Sequence, residues 1–208
     1  MRIKVCGMTN PENIREVAAL KPNYLGFIFY PKSPRCVIGK LTPESMNDIP
    51  SNIWRTGVFV NETEEKILEI SEQYGLKAIQ LHGDESPELC TALCFAGKSI
   101  IKAFCVDKDF DFAPLEAYLD VVDFFLFDTK TEAYGGSGKK FDWSVLERYP
   151  FKKPFFLSGG IGPDDAEEIL AFQHPKCYGI DLNSKFETAP GMKDAQALKR
   201  FLGKLKKD

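Results

Sequence analysis

Cys6 and Asp128 are the two side chains whose type and placement suit the movement of a proton. Cys6 closes the short run Ile3-Lys4-Val5 and precedes Gly7 in a polar turn. A free thiol titrates near ~8.5, and lower beside cations or helix N-termini, so a thiolate base is available around neutrality. Cysteine is also a good small core filler, and position alone leaves both readings open. Asp128 follows Phe124-Phe125-Leu126-Phe127 and precedes Thr129. A carboxyl at the dry end of an apolar strand can have a raised pKa and act as an acid. It can equally cap the N–H groups of the next loop.

A second group of residues suits an anion. Gly159-Gly160 directly follows the apolar run 154–157, and Asp181 to Lys185, with Asn183 and Ser184, follows the run 177–182. Successive backbone N–H groups made accessible by glycine, beside a helix N-terminus, can surround a dianionic phosphate. The plain alternative is a tight turn. Gly135-Gly136-Ser137-Gly138-Lys139-Lys140 invites comparison with a nucleotide-binding loop but fails it: Ala133 stands where the first glycine belongs, and Lys140 occupies the Ser/Thr position. Gly159, Gly160 and Gly162 also miss the dinucleotide spacing, and the 135–138 glycines are expected to form a mobile loop. His82, after Gln80-Leu81, can be a base or a hydrogen-bonded strand-end histidine. His174 beside Pro175 is expected at the surface, and Trp54 and Trp143 in the core. Cys90 and Cys94 are four apart in a helical pattern with no accompanying ligand pair, which argues against a zinc site.

These residues need elements to hold them, and the chain supplies an alternation. Strand-length apolar runs lie at 3–6, 24–29, 55–60, 77–81, 100–104, 124–127, 154–157 and 177–182. Each is followed by a helix-period or cap-like segment, opened by Asn10-Pro11, Thr42-Pro43, Asn61 with Glu64 at capping-box spacing, Ser86-Pro87, the run 111–119, Asp142, Pro163 and the segment from 195. The strands are continuous rather than alternating, as when both faces of a parallel sheet are covered. Eight β-then-α units predict an α/β fold, a single-domain (β/α)8 TIM barrel over residues 1–208. In such a barrel the reactive groups sit at strand C-terminal ends, where Cys6, Gly7, Arg35, His82, Asp107, Asp128, Ser158, Gly159, Gly160, Asp181 and Ser184 all fall.

Bulk properties narrow the class. The 208 residues are 44% hydrophobic and 27% charged, with 27 basic and 30 acidic side chains for a net charge of -3. No basic surplus points to nucleic acid. No run approaches the ~20 apolar residues of a membrane span, and the N-terminus does not read as a targeting segment. The six cysteines are expected as reduced thiols in a cytoplasmic protein. A monomer or a homodimer would fit.

Several motifs, taken in order, resemble the phosphoribosylanthranilate isomerase family of tryptophan biosynthesis. They are Lys4-Val5-Cys6-Gly7-Met8-Thr9; Gly26-Phe27-Ile28-Phe29 with Ser33-Pro34-Arg35; Gln80-Leu81-His82-Gly83; Asp128-Thr129 with Gly135 to Gly138 and Phe141-Asp142-Trp143; Ser158-Gly159-Gly160-Ile161; and Gly179-Ile180-Asp181 with Glu187, Pro190-Gly191 and Lys193-Asp194. The resemblance spans nearly the whole chain. It implies an Amadori rearrangement of N-(5-phosphoribosyl)anthranilate without cofactor or metal, with Cys6 as general base and Asp128 as general acid. It also implies that Arg35 faces the anthranilate carboxylate and that Gly159, Gly160, Asp181, Asn183 and Ser184 bind substrate. Two departures stand out: Asn183-Ser184-Lys185 replaces the usual two serines and glycine, and Asp165 stands where asparagine is common. Both are expected to tune phosphate binding rather than abolish it. A metal-dependent epimerase would need paired histidines and aspartates at strand ends. A related synthase would need catalytic lysines there and an N-terminal extension. A non-catalytic barrel would have no need of both Cys6 and Asp128.

Overall fold

The computed structural model describes residues 1–129 and 140–206. The glycine run 135–138 therefore lies outside the described residues. Eight strands, β1 (Arg2–Cys6), β2 (Tyr24–Ile28), β3 (Trp54–Phe59), β4 (Ala78–Leu81), β5 (Ser99–Val106), β6 (Phe124–Thr129), β7 (Phe155–Leu157) and β8 (Cys177–Leu182), pair in sequence order and close into a barrel. Every pairing in it is parallel, including β1 with β8. The (β/α)8 architecture read from the sequence is the observed one.

Alternation along the strands separates two environments. Val5, Leu25, Phe27, Phe59, Ile79, Phe125, Phe127 and Leu157 face outward into the large core shared with the helices. Tyr24, Ile101, Ala103, Leu126 and Phe156 fill the barrel interior as a separate apolar cluster. Asp128 lies two residues beyond Leu126 on the same face of β6. Polar chemistry thus begins where the apolar filling of the interior stops.

The helices are α1 (Pro11–Ala18), α2 (Glu64–Gln73), α3 (Pro87–Phe95), α4 (Ala166–Ala171) and α5 (Ala195–Leu205). Asn10 and Ser86 cap α1 and α3 with proline in the first turn, as the sequence predicts. Three other connections are 3₁₀ segments, over Pro43–Met46, Ala113–Tyr118 and Trp143–Arg148. In the second only Leu115 is buried, so no apolar stripe supports α-turns. In the third, buried Trp143 and Leu146 lie three apart, the 3₁₀ period.

The cap of α2 differs from expectation. Thr63, not Asn61, accepts the N–H of Lys66. Asn61 adopts a left-handed conformation (φ 52°) and its side chain accepts from the Asp84 N–H at 2.7 Å, tying the loop after β3 to the loop after β4. Trp143 is buried as expected, but Trp54 is 38% exposed at the start of β3, its ring edge on Tyr24. His174 is half-buried between Phe155 and Phe172 rather than at the surface, and burial holds its imidazole below the ordinary range. Cys90 is buried and Cys94 exposed on α3; all six cysteines are free thiols.

After β8 comes a feature the hydrophobic pattern does not announce. A short antiparallel hairpin pairs β9 (Glu187–Ala189) with β10 (Met192–Lys193). Gly191 turns it with φ +87°, and its carbonyl accepts the Thr9 hydroxyl at 3.0 Å. The hairpin is thereby docked against the loop after β1, beside Cys6. Among the described residues, no helix is long and apolar enough to cross a membrane.

Candidate active site

Cys6 is 3% exposed, and its neighbour across the sheet is Gly26. A Cβ at Gly26 would stand 2.5 Å from Sγ, so glycine there makes the room the sulfur occupies. Lys4, two residues earlier on the same face of β1, is fully buried and gives its ammonium to both carboxylate oxygens of Asp181 at 2.9 and 3.0 Å. The register pairs these two residues across β1 and β8. Burial pushes the Cys6 thiol above its ordinary value; Lys4 and Lys193 pull against that shift and Asp181 adds to it.

Asp128 stands on β6, and its Oδ1 accepts the N–H of Thr129 at 2.8 Å. Its Oδ2 lies 3.5 Å from His82 Nε2, at the end of β4. Burial disfavours a charge on His82, but Asp128 and Cys105 outweigh it, and the imidazole is pushed up to about 9. Its Nδ1 lies 2.8 Å from Gln80 Nε2; with that amide turned end for end, Oε1, which has no partner as placed, would accept from a protonated ring instead. Behind this pair, buried Lys102 donates to the Gly83 carbonyl and Glu85, while Glu85 accepts the Asn61 and Gly83 N–H groups. These bonds fix the loop that carries His82.

Arg35 is buried at the rim. Its guanidinium makes a bidentate pair with Glu187, Nε at 2.9 Å from Oε1 and Nη2 at 2.6 Å from Oε2. Lys193 bonds Glu187 and the Asn183 side chain. Gly7 (φ +82°) allows this crowding, because a Cβ there would come within 2.8 Å of both Arg35 Cδ and Asn183 Oδ1. The hairpin thus brings Glu187 and Lys193 into the site. Their spacing gives no sign of this; the only sequence signal was their place in a family motif.

Gly159 and Gly160 both have positive φ, +89° and +67°. At Gly159 a Cβ would fall on Thr129 and come 3.1 Å from Asp128 Oδ1, so the backbone after β7 lies directly against the end of β6. Substituting Gly159 with alanine is expected to cost about 1–3 kcal/mol in backbone strain alone and to displace Asp128. Calorimetry should show a lowered Tm together with reduced turnover; an unchanged Tm would contradict the packing described. Asn183 precedes the 3₁₀ segment Ser184–Phe186, next to the 159–162 loop, where Gly162 faces Lys185 and Asp165. Asp165 accepts the Gly162 N–H at 2.6 Å and pairs with Lys140, which also bonds Glu168. The negative charge that Asp165 brings to this loop is thereby matched by a lysine.

Of the residues singled out from sequence, Cys6, Asp128, Arg35, Asp181, Asn183, Gly159 and Gly160 all converge on the C-terminal mouth, with Ser184 opening the segment beside it. Among the described residues, no group of three or more His, Cys, Asp or Glu is placed to hold a metal ion.

This arrangement has known relatives. The model of the N-(5'-phosphoribosyl)anthranilate (PRA) isomerase family matches residues 3–204. The chain belongs to that family. A PRA isomerase of Parabacteroides distasonis is 52% identical over 97% of this chain and 92% of its own length. The crystal structure of the phosphoribosylanthranilate isomerase of Thermotoga maritima superposes with a TM-score of 0.84 at 37% identity, over 99% of this chain and 98% of that one. A phosphoribosylanthranilate isomerase solved in complex with reduced 1-(o-carboxyphenylamino)-1-deoxyribulose 5-phosphate matches at TM-score 0.81 and 33% identity, covering 99% and 98% of the two chains.

Proposed function

We propose that this chain catalyses the Amadori rearrangement of N-(5-phosphoribosyl)anthranilate to 1-(2-carboxyphenylamino)-1-deoxyribulose 5-phosphate, a step of tryptophan biosynthesis. The observation that carries this reading is the presence of a buried thiol and a carboxyl, Cys6 at the end of β1 and Asp128 at the end of β6, at the same mouth of the barrel in a member of the PRA isomerase family. Asp128 protonates the ring oxygen of the furanose as the C1–O bond breaks, and the anilino nitrogen lone pair forms the C1=N iminium. The Cys6 thiolate then removes the proton from C2. The electrons of the C2–H bond form the C1=C2 double bond and neutralise the iminium, giving the enolamine. Return of a proton to C1 and loss of the C2 hydroxyl proton give the ketone. The iminium is its own electron sink, so the residues need supply only proton transfer and positioning.

Binding follows from the same geometry. The backbone N–H groups of Gly159, Gly160, Asn183 and Ser184 suit the phosphate. Asp181, between the two proton-transfer residues, faces the sugar. Arg35, held by Glu187, keeps the outer edge of its guanidinium for the anthranilate carboxylate. Removing Arg35 as Arg35→Ala is expected to raise KM about tenfold to a hundredfold, the worth of a charge-assisted hydrogen bond, with a smaller effect on kcat. An unchanged KM would remove Arg35 from this role.

The direct biological test is complementation. Expression of the chain in a strain lacking only this isomerase should restore growth without tryptophan. Failure of well-expressed protein to do so would refute the reading. Monomer or homodimer both fit the proposal, because each site described here is built from a single chain.

A further inference from the structure

The mechanism asks Cys6 to stand as a thiolate in a place where burial favours the thiol. Lys4 is fully buried two residues before Cys6 on the same strand face, and its ammonium has three N–H donors to place. Two meet the oxygens of Asp181, which fixes the cation inside the barrel on the strand face that it shares with the buried Cys6, where the two interact electrostatically. We infer that Lys4 is a positioning residue for the reaction: its ammonium, fixed by Asp181 on the buried strand face that Cys6 shares, stabilises the thiolate that acts as base.

Among the described residues, the charged groups that act on Cys6 are Lys4 from β1, Asp181 from β8 and Lys193 from β10; its neighbour on β2 is the uncharged Gly26. Lys193 is engaged with Glu187 and Asn183, and Lys4 exerts the stronger attraction on Cys6. Asp181 works against the thiolate as a charge, yet holds the ammonium in line. Asp128 and His82 act on Asp181 from the far side with opposite signs. Lys4 itself stays protonated despite burial, because Asp181 and Cys6 both favour its charged form. The pair therefore has a built-in sign: its cation promotes the base and its anion restrains it.

That sign is what a purely structural ion pair would lack, and it can be read without substrate. The inference rests on Cys6 being the base, but the titration of Cys6 in the free protein stands apart from turnover. The thiolate absorbance of each variant would be followed against pH, subtracting the same variant carrying Cys6→Ser so that only Cys6 contributes. Lys4→Met should raise the Cys6 midpoint by about one to three units, the usual effect of losing an opposite charge at this range, and Asp181→Asn should lower it. Should Lys4→Met fail to fold with Asp181 left unpaired, the double variant Lys4→Met/Asp181→Leu removes both charges, and its midpoint should still lie above that of the wild type. Turnover of Lys4→Met, reduced at neutral pH, should recover as pH is raised.

Shifts of the same direction in Lys4→Met and Asp181→Asn, no shift in Lys4→Met, or a double variant at or below the wild-type midpoint would overturn the inference. Opposite shifts in a wild-type protein that turns over no substrate would uphold the charge pair and refute the proposed function instead.

Discussion

Replacing Cys6 by serine should lower kcat by about 10²–10⁴, the range lost when a general base is removed, while KM changes little. Serine differs by a single atom and still fits the space that Gly26 leaves beside β1, so the fold and the binding groups remain. What is lost is acidity: the hydroxyl is far harder to deprotonate than the thiol, and Lys4 cannot make up the difference. The wild-type pH profile carries the complementary expectation. Burial raises the Cys6 thiol in the free protein, and a base must be unprotonated to act. The limb of kcat/KM governed by Cys6 therefore rises with pH through the range above the ordinary thiol value. In the complex the iminium beside C2 favours the thiolate, so the same limb of kcat should lie at lower pH. Steady-state kinetics across pH in wild type and Cys6→Ser check both statements. A wild-type rate in Cys6→Ser would remove the thiol from the mechanism.

Asp128→Asn should have an effect of similar size on kcat, because an amide has no acidic proton to give the ring oxygen. A second signature separates this from general damage to the site. His82 is pushed up to about 9 through Asp128 and Cys105, against burial. With the carboxylate gone, burial acts with less opposition and the His82 midpoint should fall toward or below its ordinary 6.5. The protein has only two histidines, so NMR titration of the imidazole signals resolves it from His174. The sign for stability follows. The folded pKa of His82 is raised, so the stabilisation from the His82–Asp128 contact is full below about 6.5 and is lost as pH rises through about 9. Wild-type Tm should decline over that window more steeply than that of Asp128→Asn. A His82 midpoint unmoved by the substitution would mean that the two side chains are not coupled.

How far this site could be read from sequence depends on what each residue does. The barrel was legible because its eight apolar runs and their caps repeat at a steady spacing, and because hydrophobic burial on both faces of a parallel strand leaves a continuous run. Cys6 and Asp128 were legible as strand-end residues, where the fold places chemistry, although position could not exclude a core cysteine or a loop-capping aspartate. Lys4 was not legible in that way. A lysine in a strand usually reads as an outward or edge charge, and only the β1–β8 register shows that it faces Asp181 inside the barrel. Glu187 and Lys193 sit on a hairpin of three and two residues, too short for any periodic signal. The cap of α2 is ambiguous in the sequence because Asn61 and Thr63 are both good capping residues. The structure resolves them by giving Asn61 a different bond, to Asp84. The type of Trp54 favours burial, but the residue begins β3 at the end of the barrel away from the site, where it is 38% exposed.

The departures at the phosphate end are accommodated by side chains rather than by glycine. Asn183 is held by Lys193, and Asp165 by Lys140 and the Gly162 N–H. These contacts are made within the chain, and under the proposed function they leave the backbone N–H groups of Gly159, Gly160, Asn183 and Ser184 for the phosphate.

Under the proposed function, this barrel converts N-(5-phosphoribosyl)anthranilate by acid–base chemistry of its own residues. The most direct measurement is a single-turnover experiment in which excess purified protein, without added metal or cofactor, is mixed rapidly with freshly prepared substrate while the anthranilate fluorescence is recorded. The account predicts an exponential loss of fluorescence far faster than spontaneous decay, with the ketose 5-phosphate as product; fluorescence falling only at the spontaneous rate would contradict it.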